Sequence, residues 1–430
     1  MSPSSPTTSP ASETAETGTG TAGLRASRDT GARSLPLPLA GIRILDLSAV
    51  ISGPVATNML LDQGAEVIKV ESLQGDTLRR VGPAKGDLSA AFIAANRGKR
   101  SIALDLKQPA ACDIVRRLAA KADVLVENFR PGAMQRLGLD PEALATVNPR
   151  LISVAITGVG STGPYAAGRF YDAVVQGISG LAASQRDPST GEPVLVWTYV
   201  CDKLTALTAA QAITAALFAR ARDGVGRRVT LSMLDATLAF QWPDAMYNHV
   251  FLDDPPQPFP PVGSTLRPYR AKDGMAAVMA PQNDEFAALV TGLGAPHLLE
   301  DPRFATTASR TRNMAALRAV LDPMVAEMSI DDMVERLRRA GVPIGRINEH
   351  DQMLADPQVR HNGTVVEIDH GDVGRVRLVR GAARFPNAAP MPRPAPSLGA
   401  DGRDILSELG FTDADIDALR DAGVLGLPTT

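Results

Sequence analysis

The sequence predicts an α/β fold built on a parallel sheet, and three observations carry this prediction. From residue 37 onward, short apolar runs that suit buried strands alternate with longer segments that suit helices. At the start of this region a strand, a helix and a second strand follow one another within about 30 residues, which is the length of a βαβ unit. The pattern then repeats. The first half of the chain is therefore predicted to be a doubly wound α/β domain.

Each predicted element rests on a local pattern of this kind. The first helix is closed by Gly64, and the segment that starts at Arg227 is predicted as a strand that runs into a helix by residue 238. The other predicted strands are residues 41–47, 66–71, 100–106, 123–129 and 151–157. The first helix is residues 53–64, and the other predicted helices are residues 110–120, 202–222 and 412–422.

The chain has 430 residues, too many for one ordinary core, so we expect more than one folded unit. Its N-terminal residues are rich in Ser, Thr, Pro, Ala and Gly and are predicted to be disordered. Proline-dense runs at 253–261 and 386–396 indicate linkers, and Asp273-Gly274 indicates a hairpin. We predict a disordered tail at 1–36, a large domain at 37–235, a Pro-rich linker at 236–268, a small α+β domain at 269–357, and a C-terminal segment at 358–430 that returns to the large domain.

Composition argues against several classes of partner. A net charge of -3 gives no basic surface for nucleic acid. The sequence has no run of about 18 apolar residues that would predict a membrane span, and no apolar segment near its start that would predict a secretory signal. Two cysteines and five histidines form neither a disulfide framework nor a metal-ligand spacing. We expect a cytoplasmic protein without a metal.

Asp202 is the first candidate for chemistry. An apolar run from Pro193 delivers this carboxylate to the start of a long Ala-rich helix, where free N–H groups favour its ionised form. Two interpretations stay open at this point, because Asp is also a preferred N-cap residue. Its neighbour Cys201 lies in the same apolar run and is interpreted as a small buried hydrophobic side chain.

A glycine-rich segment follows the strand predicted at 151–157. Residues Gly158 to Gly163 match the G-x-G-x-x-G pattern of dinucleotide-binding proteins, which raises the alternative of an NAD-dependent oxidoreductase. The context argues against it, because Pro164 and Tyr165 come where the pattern needs a helix to hold the pyrophosphate. We interpret the segment as a turn or lid.

Several longer runs resemble signature segments of the family III CoA transferases, the group that includes formyl-CoA transferase and carnitine CoA transferase. The similarity extends from residue 37 to the end of the chain and is carried by residues 37–71, 96–107, 122–138, 148–151 and 163–165. The resemblance implies a large Rossmann-like domain and a smaller α+β domain in an interlocked homodimer, whose two subunits thread through each other. The family's nucleophilic aspartate falls on Asp202, which favours the catalytic interpretation.

The CoA pocket of the family maps onto a second set of residues in this chain. Cations among them would meet the phosphates of CoA, and aromatic and aliphatic side chains would meet adenine and pantetheine. The mapped residues are Val50, Leu104, Lys107, Asn128, Phe129, Arg136 and Arg169, with Tyr171 and Asp172 at the acyl end. Ala49, Ile51 and Ser72 depart from residue types that relatives often carry, so adenine and phosphate contacts at those positions are not implied.

The resemblance also implies a reaction, in which CoA moves from an acyl-CoA donor to a free carboxylic acid through an aspartyl anhydride and an aspartyl-CoA thioester. CoA is part of the substrate, and no tightly bound cofactor is expected. The alternatives are a 2-methylacyl-CoA racemase and a non-catalytic acyl-CoA binding protein. The position of the racemase histidine falls on Tyr171 in this chain. A phenol holds its proton near neutral pH, so Tyr171 cannot act as the base of a racemase, and this favours transfer.

The sequence does not choose the acid that accepts CoA. Trp197, Tyr199 and Trp242 would suit a bulky or aromatic acyl group if they line the pocket. Arg and Lys side chains nearby would equally suit a dicarboxylate.

Overall fold

The structure is a computed structural model that describes residues 35–187, 189–385 and 391–428. The predicted tail at 1–36 lies outside these ranges except for its last two residues, and so do residues 386–390 of the second predicted linker. Regular secondary structure in the described ranges begins at Arg43.

The strands of the described ranges form one large sheet and three small ones. In chain order the strands are β1 (Arg43–Asp46), β2 (Glu66–Glu71), β3 (Ala84–Lys85), β4 (Leu88–Ser89), β5 (Arg100–Leu104), β6 (Val124–Glu127), β7 (Ile152–Thr157), β8 (Arg228–Ser232), β9 (Tyr269–Arg270), β10 (Met275–Val278), β11 (Ile344–Arg346), β12 (Val365–Asp369), β13 (Arg375–Val379) and β14 (Leu425–Gly426).

Helices connect most of these strands. They are α1 (Ser52–Leu61), α2 (Ala90–Asn96), α3 (Pro109–Ala120), α4 (Ala133–Leu137), α5 (Pro141–Val147), α6 (Asp172–Ile178), α7 (Leu181–Ser184), α8 (Val200–Asp223), α9 (Met233–Ala245), α10 (Asn283–Gly292), α11 (Thr307–Arg312), α12 (Met314–Ala326), α13 (Ile330–Arg339), α14 (His350–Ala355), α15 (Pro357–Asn362), α16 (Gly402–Glu408) and α17 (Asp413–Asp421).

The large sheet has the order β14-β5-β2-β1-β6-β7-β8. Every neighbouring pair in it is parallel except β14 and β5. The chain builds outward from β1 in one direction, then returns and builds outward from β6 in the other. This confirms the predicted α/β fold with a mostly parallel central sheet. The order reverses between β1 and β6, and ligands of such sheets bind in the crevice at the carboxyl ends of strands at this switch point.

Each face of the large sheet is covered by helices, because successive strand residues point to opposite faces. On β1, Leu45 packs into a core with α3, α16 and α17, while Ile44 packs into a second core with α1 and α8. The sheet strands therefore read as continuous apolar runs, and this is why the sequence revealed them.

Six strands of the described ranges were absent from the sequence prediction, namely β3, β4, β11, β12, β13 and β14. β14 pairs antiparallel with β5 at one edge of the large sheet, with Leu425 opposite Leu104. The hairpin of β12 and β13 packs against α2, where Leu378 and Phe92 share a core. β14 has two residues, too few to show a period of two in the sequence.

A separate apolar cluster gathers buried side chains from Tyr269 to Val342. It lies between the three-stranded sheet β11-β10-β9 and the helices α10, α12 and α13. The predicted hairpin at Asp273-Gly274 is present, since β9 and β10 pair antiparallel and the Ala271 N–H donates to the Gly274 carbonyl at 2.9 Å.

α8 is the longest helix of the described ranges and, by length and composition alone, would be long and apolar enough to cross a membrane. In this fold it lies along α1 and β7, with Ala206, Ala209 and Ile213 fully buried in the core shared with α1. That packing is typical of a core helix of a doubly wound domain.

Candidate active site at the switch point

Asp202 lies in the first turn of α8 and is 9% exposed. The helix begins after Tyr199, which makes no side-chain cap. Asp202 is three residues past this N-cap position, so the simple capping interpretation is wrong for this helix. A carboxylate that is buried without capping its helix needs another partner.

That partner is Ser52, the first residue of α1. Its hydroxyl donates to Oδ1 of Asp202, across 150 positions of sequence, and Ser52 itself is 4% exposed. The next residue is Gly53, where a Cβ would lie 2.1 Å from Oγ of Ser48, so the close packing of the Ser48 loop against the start of α1 requires glycine there. The N-terminal ends of α1 and α8 therefore meet at the Asp202 carboxylate, and both helix dipoles favour its ionised form.

Asp172, the first residue of α6, fixes the backbone of Asp202. Its Oδ2 accepts the Asp202 N–H at 3.0 Å, and its Oδ1 accepts from Nε2 of Gln176 at 2.6 Å. Gln176 in turn accepts the Val196 N–H at 2.8 Å. This chain of hydrogen bonds ties the segment before α8 to α6 and orients the start of α8.

Burial raises the pKa of Asp202 above its usual value. Hydrogen bonds from the hydroxyl and the backbone N–H of Ser52 oppose this rise, the nearby charge of Asp172 adds to it, and Lys203 opposes it. The balance is a carboxylate that is harder to ionise than an exposed aspartate, and that is consequently more basic when ionised.

The Asp202 carboxylate borders a cavity of about 240 Å³ at the carboxyl ends of β1, β6 and β7. The lining mixes apolar side chains, backbone of the glycine-rich segment and two arginines. Its residues are Ala49, Val50, Ser52, Asn128, Phe129, Arg130, Pro131, Ile156, Thr157, Gly158, Val159, Gly160, Ala166, Gly168, Arg169, Phe170, Tyr171, Asp202 and Met233.

A second cavity of about 440 Å³ adjoins the first, and both are bordered by Ala49 and Phe129. It lies beyond the ends of β2 and β5 and includes Ser72, Leu104 and Lys107 in its lining. The two cavities lie next to each other along the carboxyl ends of the strands, the second on the β5 side of the switch point and the first at Asp202.

The segment after β1, which borders the first cavity, is strained. Val50 has φ of 69°, a left-handed conformation that is costly for a β-branched residue. Its N–H donates to both carboxylate oxygens of Asp76, at 3.1 and 3.2 Å. Asp76 pairs with Lys69 at 3.0 Å, and Nζ of Lys69 also donates to the Ser48 carbonyl at 2.8 Å. A buried ion pair therefore holds this segment from below.

A second buried ion pair lies under the start of α1. Nζ of Lys99 lies 2.8 Å from Oδ2 of Asp46 and also donates to the Pro54 carbonyl at 2.9 Å. Burial alone would raise the pKa of Asp46, but the charges of Lys99 and Lys69 lower it to about 2. The two ion pairs fix both ends of the loop that presents Ser52.

The switch point itself is closed by reciprocal hydrogen bonds. The Ala49 N–H donates to Oδ1 of Asn128 at 2.9 Å, and Nδ2 of Asn128 donates to the Ala49 carbonyl at 2.8 Å. Glu127 accepts the Phe129 N–H at 2.7 Å, and burial raises the pKa of this carboxyl to about 7. The segment after β6 is thereby locked to the segment after β1.

The structure brings most of the sequence-predicted residues to these two cavities. Val50, Asn128, Phe129, Arg169 and Tyr171 line the first cavity, and Leu104, Lys107 and Phe129 line the second. Two differ from expectation. Arg136 is exposed on α4 and lines neither cavity, and Asp172 is 2% exposed and lies behind Asp202 instead of in the cavity wall. Their roles in CoA binding stay predictions.

Other sequence candidates find different places. The segment from Gly158 to Gly163 leads into turns instead of a helix, and Gly158 packs against Phe170, where a Cβ would lie 2.4 Å from the Phe170 Cβ. Trp197, 96% exposed, does not line either cavity, and neither Tyr199 nor Trp242 does. The expected wall of Trp197, Tyr199 and Trp242 is therefore absent from both cavities, and the aromatic residues that line the first cavity are Phe129, Phe170 and Tyr171.

Cys201 is fully buried, and burial raises the pKa of its thiol to about 11, so the thiolate needed for attack is not formed near neutral pH. In the described ranges no group of three or more His, Cys, Asp and Glu side chains is arranged to hold a metal ion.

Comparison with known proteins decides the family. Residues 39–402 match the sequence profile of CoA-transferase family III. This chain belongs to that family.

Family III relatives cover nearly the whole chain. A succinate–glutarate CoA-transferase of Agrobacterium fabrum is 36% identical over 385 residues, which are 86% of this chain and 96% of the relative. The human succinyl-CoA:glutarate CoA-transferase is 35% identical over 395 residues, 90% of each chain. An acetyl-CoA:oxalate CoA-transferase of Acetobacter aceti is 36% identical over 334 residues, 77% of this chain and 86% of the relative.

Solved structures agree with the sequence relatives. A CAIB/BAIF family protein of Brucella suis matches with a TM-score of 0.76 and 35% identity, covering 87% of this chain and all of that one. Rv3272 of Mycobacterium tuberculosis matches with a TM-score of 0.75 and 31% identity, covering 86% of this chain and 98% of that one. The family III assignment thus rests on fold as well as sequence.

Sequence reasoning missed three residues of this family III site. Ser52 was not singled out, because nothing local distinguishes a serine at the start of a helix from an ordinary one. Lys69 and Asp76 were missed as well. A lysine inside the apolar run of β2 is a signal that was available, since lysine is almost never fully buried without a partner.

Proposed function

We propose that this chain is a CoA transferase that moves CoA from an acyl-CoA donor to a free carboxylic acid, with Asp202 as the acyl carrier. The observation that carries the proposal is the Asp202 carboxylate, which is buried, held by Ser52 and directed at a cavity instead of capping its own helix. Burying a carboxylate costs free energy unless it is paired, so its retention here suits a chemical role. Membership of family III supports CoA transfer.

The two adjoining cavities suit the two ends of an acyl-CoA. We assign the nucleotide end to the second cavity, where the Lys107 ammonium can meet phosphate, and the acyl end to the first, where Asp202 lies. Pantetheine would then pass between them along Ala49 and Phe129, which border both cavities. Arg169 borders the first cavity and is available for a carboxylate or a phosphate.

The proposed reaction uses the Asp202 carboxylate as its nucleophile. Asp202 attacks the donor thioester, the C–S bond breaks, and an aspartyl mixed anhydride and CoA thiolate form. The thiolate then attacks Cγ of Asp202 and expels the donor acid, which leaves an aspartyl-CoA thioester. The acceptor carboxylate attacks the same Cγ and expels CoA thiolate, which takes the acceptor acyl group from the second anhydride and regenerates Asp202. Exclusion of water from the cavity would protect both anhydrides from hydrolysis.

A dicarboxylic acid is the acceptor class that the cavity favours. Arg130 and Arg169 both border it, whereas Trp197, Tyr199 and Trp242, the residues expected to suit a bulky acyl group, do not. An arginine binds the distal carboxylate of such an acid in a two-pronged contact. The names of the relatives point the same way, with succinate, glutarate and oxalate among their substrates.

We also propose the homodimer that the family resemblance implies. Large apolar side chains are exposed along α8, α9 and the segment after α9. In an isolated subunit this apolar surface would be in contact with water, which is unfavourable. These are Leu207, Phe218, Phe240, Trp242, Phe251 and Leu252. A partner subunit that passes over this surface would bury them, as obligate interfaces do.

The experiment is a screen of donor and acceptor pairs with the purified protein, read by mass spectrometry of the acyl-CoA products. Succinyl-CoA and short dicarboxylic acids form the first set, and monocarboxylic acids of similar length form the second. We expect transfer with dicarboxylic acceptors, and no transfer with Asp202→Ala. Asp223→Asn, at the exposed C-terminal end of the same helix, is the matched control and retains activity.

The same screen separates the alternatives. A racemase would exchange the α-proton of a 2-methylacyl-CoA with deuterium from solvent, and a non-catalytic binding protein would bind acyl-CoA with equal affinity in both forms and turn over in neither. Product formation by Asp202→Ala at the native rate would refute the proposal.

A further inference from the structure

Ser52 contacts the reacting carboxylate at one defined oxygen. Its hydroxyl donates to Oδ1 of Asp202 and, among the described residues, it is the side chain that donates to this carboxylate. The nearest cation does not take that place, since Nζ of Lys203 donates to Oγ1 of Thr198 at 2.6 Å. The hydroxyl thereby holds Oδ1, and the attack is assigned to Oδ2.

We propose that the Ser52 hydroxyl is a catalytic oxyanion donor, which stabilises the negative charge that develops on Oδ1 each time Cγ of Asp202 is attacked. This inference rests on the proposed function and adds a role that acts in only some of its steps. The donor is supplied by a side chain, so it can be removed without changing the backbone of α1.

Two steps place negative charge on Oδ1. When CoA thiolate attacks the mixed anhydride, the new S–Cγ bond pushes the C=O electron pair onto Oδ1, and the tetrahedral adduct collapses by breaking the bond from Cγ to the oxygen of the donor acid. When the acceptor carboxylate attacks the thioester, a new O–Cγ bond forms, the same oxygen gains the charge, and the S–Cγ bond breaks with its pair on sulfur. No proton is consumed in either step.

The first step is different, and this difference makes the inference testable. When Oδ2 attacks the donor thioester, the oxyanion forms on the donor's carbonyl oxygen, outside the reach of this hydrogen bond. Only an interaction that is stronger in the transition state than in the state before it accelerates a step. Before the second and third steps Oδ1 is a neutral acyl oxygen, so the hydrogen bond strengthens as charge develops.

The local geometry keeps the hydroxyl in place. Ser52 is 4% exposed, begins α1, and follows the loop whose backbone is fixed by Asp46, Lys69, Asp76 and Lys99. A donor that is positioned before the reaction costs no reorganisation when charge appears. The segment therefore supplies the preorganisation that an oxyanion site requires.

The test uses Ser52→Ala, mixed with succinyl-CoA without an acceptor and quenched in acid, with intact-protein mass spectrometry as one readout and free thiol as the other. The wild-type protein is expected to carry the mass of CoA on Asp202 and to release little thiol. The variant is expected to carry the acyl mass instead, with a burst of free CoA thiol, because attack on the donor proceeds while recapture of thiolate slows about 100-fold. Its KM for acyl-CoA stays near the wild-type value.

Controls separate this inference from folding and from the proposed function. Ser52→Thr keeps a hydroxyl and is expected to restore the CoA adduct, and Ser153→Ala removes a buried serine from β7 and is expected to behave as wild type. A CoA adduct that forms in Ser52→Ala as fast as in wild type would overturn the inference and leave the proposed function intact. Absence of any adduct in the wild-type protein would refute the proposed function itself.

Discussion

The backbone N–H of Asp202 donates to Oδ2 of Asp172 at 3.0 Å, so two buried carboxylates lie side by side where α6 and α8 begin. This arrangement serves position and not charge balance, since the negative charge of Asp172 raises the pKa of Asp202. The N-terminal dipoles of the helices offset part of the repulsion. Asp172 therefore fixes the backbone of Asp202, and its negative charge makes the Asp202 carboxylate harder to ionise.

Asp172→Asn tests this relationship. Removing the like charge is expected to lower the pKa of Asp202 and to move the acid limb of the pH profile of kcat/KM to lower pH. The other groups that face Asp202 are Ser52 and Lys203, and the substitution leaves them in place. The measurement is kcat/KM between pH 4 and 8 with one donor and acceptor pair.

The same variant is expected to lose stability. An asparagine amide would turn a donor toward either the Asp202 N–H or Nε2 of Gln176, and one buried donor would lose its acceptor. The expected loss is about 1 to 3 kcal/mol in the free energy of unfolding. An acid limb that stays in place while stability falls would show that Asp172 does not tune the nucleophile.

Asp76→Asn tests the support beneath Val50. Lys69 and Asp76 are each 1% exposed in their side chains, and a buried ammonium that loses its charge partner is costly. We expect a loss of about 3 kcal/mol or more in the free energy of unfolding, measured by urea denaturation. The KM for acyl-CoA is expected to rise as well, because asparagine offers one acceptor oxygen to the Val50 and Leu78 N–H groups where the carboxylate offers two.

Asp87→Asn is the matched control for that variant. Asp87 pairs with Arg79 at 2.9 Å, but its side chain is 40% exposed, so the loss is expected to stay below about 1 kcal/mol. Equal losses in the free energy of unfolding of the two variants would contradict the claim that the Lys69–Asp76 pair stabilises the fold because it is buried.

Asp46 predicts a pH dependence of stability. Its folded pKa is about 2, below the ordinary value of 3.8, so the stability that it contributes is present above pH 3.8 and is lost as the pH falls toward 2. The contribution is about 2 kcal/mol. Urea unfolding between pH 2 and 5 should show a decline in wild type that is shallower in Asp46→Asn. Thr57→Val, which removes one hydrogen bond to Asp46 and keeps the ion pair, should keep most of the decline.

Phe218→Glu tests the proposed dimer. Phe218 is 67% exposed on α8, so a charge there costs an isolated subunit little but is expected to dissociate a dimer that buries it. Analytical ultracentrifugation of the variant should show monomer where the wild type shows dimer. Leu299→Glu, at a 44% exposed position outside that surface, should leave the dimer unchanged. A wild-type monomer would contradict the proposal.

The sheet could be predicted from the sequence because buried parallel strands are apolar on both faces and therefore form continuous apolar runs. The strand predicted at 66–71 has the bounds of β2, and the helix predicted at 110–120 differs from α3 by one residue. β14 was not predicted, because two residues are too few to show an alternating pattern and their conformation depends on pairing with β5. Local pattern therefore sufficed where an element is long and buried.

The site was predictable only in part, for a related reason. Family resemblance singled out Asp202, and its burial and apolar approach were visible in the chain. Ser52 lies 150 positions away, and their contact exists only because α1 and α8 pack on the same face of the sheet. Arg136 was expected in the pocket, yet it is exposed on α4 and lines neither cavity. Spacing along a chain does not determine which way the side chain of a short surface helix faces.

The most direct test of the central claim is the transfer of oxygen from the acceptor acid to the protein. After turnover with an acceptor labelled with oxygen-18 in its carboxylate, the collapse of the second anhydride leaves one labelled oxygen on the aspartate. We predict that tandem mass spectrometry of the peptide that contains Asp202 will locate the label on that side chain. Label on another residue, or active protein whose Asp202 stays unlabelled, would contradict the account.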